Sequence, residues 1–243
     1  MSTHSFQVGK NPLRLYYFFT RLLPGLVVLS GVGLVLPRDL ALAFPLTSLL
    51  LVGLVSSFVL GQFVHSLAAG LERLAPFTST HREHASRIIE RAHNDSATNS
   101  GSDPDGRGRI LRNALEADYG TLLPADEARL DPEAVYVLVR SRIELDGRGR
   151  TLQYQALIFF SRNVALALWI VGTLVITGPY LTRSYTPVMP ETPRLQLVGI
   201  SLLSLIGGLE LLRRNEHYKR RFADYLVMDF CNLATRTDSP IEP

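Results

Sequence analysis

Residues 40–71 read LALAFPLTSLLLVGLVSSFVLGQFVHSLAAGL, 32 positions without a Lys, Arg, Asp or Glu. The hydrocarbon core of a bilayer is about 30 Å thick, so a helix of about 20 apolar residues crosses it. A run of 32 is too long for the buried core helix of a small domain. With hydrocarbon on both sides, a closed helix is the simplest way to satisfy its backbone. The stretch is therefore predicted to span a membrane.

Working outward, three more uncharged stretches appear: Leu22–Pro37, Asn163–Thr182 and Leu195–Leu209. They fall as two pairs around a central polar block. The predicted spans are residues 16–36, 45–69, 163–182 and 195–213. The expected organisation is an N-terminal tail and first transmembrane hairpin over 1–70, and a cytoplasmic helical region over 71–160. A second hairpin follows over 161–213, and a cytoplasmic amphipathic helix and tail over 214–243. The predicted fold is all-α and integral to the membrane, with four transmembrane helices.

Charge gives the orientation. Lys10 and Arg14 precede the first span, and the short loop after it has only Arg38 and Asp39. The central block opens with Arg73 and closes with Arg140, Arg142, Arg148, Arg150 and Arg162. The tail opens with Arg213, Arg214, Lys219, Arg220 and Arg221. Basic residues mark the cytoplasmic side, so both termini and the central block are expected in the cytoplasm of a plasma-membrane protein. A rival reading makes Leu22–Leu36 a signal-peptide core with Ala41-Leu42-Ala43 as cleavage site. Pro24 inside the apolar run and the charged Arg38-Asp39 pair favour a retained span.

The net charge of +3 is explained by this flanking pattern and does not indicate nucleic-acid binding. Cys231 is the single cysteine, so the chain has no internal disulfide.

Small residues punctuate the spans. Gly53, Gly61 and Ala69 lie near one face of the second, and Gly199, Gly207 and Gly208 mark the fourth. Such faces let helices approach closely, within a chain or between chains. Pro24 predicts a kink filled by a neighbouring helix.

In the central block, Thr80–Ala92 has a capping-box pattern, Thr80 with Glu83. Residues 93–108 are rich in Asn, Ser, Gly and Asp and read as a flexible loop. Asp131 is the expected cap of a helix over Pro132–Leu145, with Val135, Leu138, Val139 and Arg142 on one stripe. In Glu216–Leu233, Phe222, Leu226, Phe230 and Leu233 repeat at helical spacing, with Lys219, Arg220 and Asp224 on the opposite side. This amphipathic helix is expected to pack on the central helices.

Candidate functional residues are few. Asp105-Gly-Arg-Gly-Arg109 recurs as Asp146-Gly-Arg-Gly-Arg150, which makes Arg107, Arg109, Arg148 and Arg150 candidate contacts for anions or lipid headgroups. A bare GRG lacks the strand–loop–helix setting of a phosphate loop. Arg21 and Glu210, near the ends of their spans, are a candidate intramembrane pair. Gln62 and His65 share a face of the second span and suit polar contact with another helix. His81 and His84 have helical spacing but lack the further ligands a zinc site needs. There is no G-x-S-x-G, Walker or Rossmann signature in the chain, and no cofactor is implied.

The leading expectation is a non-enzymatic, self-associating membrane sensor, effector or pore component. Its partners would be the bilayer, further copies of the chain and a cytoplasmic protein or anionic ligand. The alternatives are a small solute transporter and a membrane enzyme acting on lipid or nucleotide.

Overall fold

The computed structural model describes residues 12–35, 46–74, 81–98, 111, 113–116, 131–146, 150–181 and 194–237. All of them except Asp131 are helical. The longer helices are α1 (Pro12–Val35), α2 (Leu46–Leu74), α3 (His81–Thr98), α4 (Pro132–Asp146), α5 (Arg150–Leu181) and α6 (Arg194–Thr237). Among the described residues, three helical segments are long and apolar enough to cross a membrane: Leu50–Glu72, Arg150–Gly178 and Leu195–Leu233. In α1 the apolar segment is shorter, Phe18–Leu34.

The boundaries differ from the sequence expectations in informative ways. The helix α3 continues through Thr98, six residues into the segment read as a loop. Each added residue contributes one backbone bond to an existing helix, which offsets the poor propensity of Asn94 and Asp95. Span four and the amphipathic segment form one unbroken helix of 44 residues. No Pro falls between Leu195 and Thr237 to interrupt it. Thr80 lies outside the described residues.

The chain divides into two compact units. Unit 1 holds residues 1–76 and 156–215; unit 2 holds 77–155 and 216–243.

In unit 1, α1 and α2 run in opposite directions. Leu29 faces Gly53, Gly25 faces Ser57 and Gly61, and Arg21 faces Gly61. At the crossing the backbones touch: a Cβ on Gly25 would overlap the Ser57 carbonyl, and one on Gly61 would overlap that of Arg21. The unit 1 parts of α5 and α6 also oppose one another. Ser201 donates to the Gly172 carbonyl (2.7 Å), Trp169 Nε1 to that of Leu205 (3.3 Å) and Asn215 Nδ2 to that of Ile158 (2.7 Å). The Trp169 indole lies against Gly208, where a side chain would collide with it. Val28, Val64 and Ala167 form a core shared by α1, α2 and α5.

Outward faces of unit 1 are strongly apolar. On α2, Leu51 is 68% exposed and Phe63 63%; on α6, Leu203 is 72% exposed and Ile206 60%. The glycine faces therefore serve contacts inside the chain at Gly61 and Gly208, while a Cβ at Gly199 would meet nothing within 4 Å among the described residues.

In unit 2, Asp131 caps α4 by accepting from the Glu133 amide (3.1 Å). Arg82 of α3 bonds Glu133 of α4 at 2.6 Å. Val135 and Val139 are buried, and so are Phe222, Leu226 and Phe230 of α6. Burial works against the charge on Arg140, but its bond to Glu144 (2.7 Å) and the nearby Tyr136 hydroxyl outweigh this and raise its pKa. The Arg140 side chain thus stays charged. Lys219 departs from the expected polar face: it is buried, with Nζ 2.9 Å from Glu216 one turn earlier. Its four-carbon stem packs with the apolar side while the ammonium reaches a carboxylate.

Candidate functional site: a polar cluster at the Pro24 break

Pro24 sits in α1, where it has no N–H to give the carbonyl four residues back. That carbonyl belongs to Thr20. Asn163 of α5 supplies the missing donor, with Nδ2 3.2 Å from the Thr20 oxygen. The same Nδ2 lies 3.0 Å from Nδ1 of His65 on α2. An amide nitrogen carries two hydrogens, so one side chain ties α1, α2 and α5 together. Asn163 is fully buried.

One residue earlier on α5, Arg162 Nη1 bonds Glu72 of α2 at 2.5 Å. The two side chains are only 10% and 13% exposed. Arg162 Nη2 also approaches His65 Nδ1 (3.5 Å), and its guanidinium carbon lies 5.4 Å from the centre of the Phe159 ring. Phe159 meets the imidazole edge-on, with ring centres 5.6 Å apart. Among the described residues, three buried atoms in the cluster make no hydrogen bond: Glu72 Oε1, Arg162 Nε and Asn163 Oδ1.

The amide orientation fixes the histidine. Thr20's carbonyl only accepts, so the atom facing it must be Nδ2, and that atom then donates to His65. His65 Nδ1 is consequently an acceptor, and the neutral ring carries its hydrogen on Nε2.

Of the residues singled out in the sequence, His65 belongs to this cluster. Gln62 is half-buried on the same helix and makes no side-chain hydrogen bond among the described residues. Arg21 and Glu210 are not brought together. Glu210 is bonded to Arg214 on its own helix at 3.1 Å, where a partner one turn away needs no long-range packing. Arg21 instead presents its backbone carbonyl to Gly61. Arg107, Arg109 and Arg148 lie outside the described residues. Arg150 is exposed in unit 2, donates to the Tyr225 hydroxyl (3.1 Å) and lies 5.4 Å from its ring centre. Tyr154 stacks on Tyr225, with ring centres 5.1 Å apart. The start of α5 is occupied by the Asp229 carboxylate, which accepts from the Thr151 amide (2.9 Å) and hydroxyl (2.6 Å). A carboxylate there competes with any phosphate drawn to the helix N-terminus. His84 lies 3.6 Å from Glu216. Among the described residues, no three His, Cys, Asp or Glu side chains are grouped to hold a metal ion.

Arg162, Asn163 and Glu72 were not among the sequence candidates. The position of Pro24 was the available signal, because it orphans the carbonyl of Thr20 in any helix. Pro24→Ala supplies the absent N–H. In that background Asn163→Ala is expected to lose about 1 kcal/mol less stability than in the wild-type chain, since a buried carbonyl no longer goes unpaired. Unfolding of the four proteins in one detergent measures the coupling, and equal losses in both backgrounds would contradict it. No family model, curated protein or solved structure matches this chain.

Proposed function

We propose that the chain is a multi-pass plasma-membrane protein with four transmembrane helices in two hairpins and both termini in the cytoplasm. The observation that carries this reading is the pair of exposed apolar faces on α2 and α6, around an interior where polar groups are bonded to one another. Lipid solvates such faces, whereas water does not. Its α1, of 24 residues, supplies the fourth span.

The residues of unit 2 form the cytoplasmic part, a helical region that binds a protein or anionic ligand. The molecule acts as a non-enzymatic sensor or effector. Self-association uses the Leu- and Val-rich faces of α2 and α6, because Gly61 and Gly208 are already engaged within the chain. A second reading, a small transporter, is favoured by the ionisable groups buried in unit 1.

The test is the mass of the purified protein in nanodiscs, joined to reporter fusions at both termini and within residues 99–108. The expected result is a defined oligomer with all three reporters cytoplasmic. A strict monomer removes the self-association reading, and reporters on opposite sides remove the four-span topology. Uptake of solute by sealed proteoliposomes would favour the transporter.

A further inference from the structure

We infer that His65 is a proton-binding site, and that a proton on its Nδ1 turns the Asn163 amide and detaches α5 from the Thr20 carbonyl of α1. This goes beyond the functional reading above and needs only the geometry of unit 1. His65 Nδ1 is a lone-pair acceptor held between two donors, Asn163 Nδ2 at 3.0 Å and Arg162 Nη2 at 3.5 Å. A hydrogen added there faces both donors. The charged groups around the ring are Arg162 on α5, Glu72 on α2 and Arg21 on α1, whose charge reaches the imidazole.

Glu72 Oε1 and Asn163 Oδ1 are the cluster's unbonded acceptor atoms, and Asn163 Oδ1 is on the side chain that already faces Nδ1. Asn163 Oδ1 is buried without a hydrogen bond. Rotating the amide by half a turn brings Oδ1 to the position Nδ2 now holds, where it accepts from the protonated ring. That same rotation places oxygen against the Thr20 carbonyl oxygen. The donor that compensates for Pro24 is withdrawn, and α1 loses its tie to α5 at the residue where its own ladder is broken. A buried polar atom left unbonded in a native core calls for a reason, and a reserve acceptor for the second state of His65 is one.

The experiment is a pH titration from 8.5 to 4.5 of the full chain in nanodiscs, with ¹⁵N-labelled His and Asn and amide-labelled α1. His65 signals are assigned by their absence in His65→Gln. At high pH the expected spectrum is neutral His65 with hydrogen on Nε2. On acidification, the Asn163 side-chain amide and the Thr20 and Gly25 backbone signals shift with the same midpoint as the His65 ring. Neutral His65 with hydrogen on Nδ1 overturns the inference. So does a His65 that never titrates in this range, or titrates while Asn163 and α1 stay unchanged. Asn163→Asp places a carboxylate on Nδ1 and is expected to tighten proton binding at least tenfold, about one pH unit. An unmoved midpoint in that folded variant also overturns it.

Discussion

Glu72→Gln is expected to destabilise the protein by about 3 kcal/mol, and Arg162→Gln by a similar amount, because each leaves an opposite charge buried without its counterion. The pair is short, 2.5 Å, and both side chains are almost enclosed. Exposed ion pairs contribute about 0–1 kcal/mol, so burial decides the size of the effect. The double variant Glu72→Gln with Arg162→Gln is expected to lose much less than the sum of the two single losses, since no unpaired charge remains. Reversible unfolding of the four proteins in one detergent gives the cycle. Single losses below 1 kcal/mol, or strict additivity, would show the pair to be solvated and the cluster to be open. Arg162 also supports His65 through Nη2, so its loss is expected to exceed that of Glu72 slightly.

This pair shows where the sequence stops being legible. Glu72 and Arg162 are 90 positions apart, and each reads as an ordinary flanking charge beside an apolar run. Their partnership depends on the packing of α2 against α5, which no local pattern encodes. The apolar runs themselves are legible because a continuous stretch such as residues 40–71 has few other solutions. Periodicity likewise gives Phe222, Leu226 and Phe230, which the structure buries. Charge position misleads for Arg21 and Glu210. Both sit near the ends of apolar runs, but Arg214 is on Glu210's own face one turn away and takes its carboxylate. Lys219 misleads for another reason. A helical wheel places a Cβ, while a long stem lets the ammonium travel to Glu216. Asn163 lies between these cases. The need for a donor near Thr20 follows from Pro24, but which distant side chain meets it follows only from the fold.

Gly61→Ala is expected to cost at least 2 kcal/mol, at the upper end for overpacked sites, and Gly25→Ala the same. A methyl at either position overlaps a backbone carbonyl on the facing helix, and a backbone carbonyl cannot rotate aside as a side chain does. The helices α1 and α2 must therefore separate. Once the first methyl has forced them apart, the second meets more room, so the double variant should lose less than the sum of the two. Gly53 and Gly199 provide the controls. Among the described residues, a Cβ at Gly53 meets Leu29 at 3.9 Å, and one at Gly199 meets nothing within 4 Å. There Ala removes the conformational freedom of Gly from a helix interior and is expected to be neutral or to stabilise by up to about 1 kcal/mol. Detergent unfolding of the five variants beside the wild type distinguishes close approach from a general intolerance of substitution. Similar losses at Gly53 and Gly61 would refute the crossing. The Gly61 effect extends to the polar cluster. Arg21 and Thr20 are adjacent in α1, so a shift of the carbonyl that meets Gly61 also moves the one bonded to Asn163 at 3.2 Å. Gly61→Ala is therefore expected to disturb the Asn163 side-chain amide signal, although it lies on a helix that carries neither Asn163 nor Thr20.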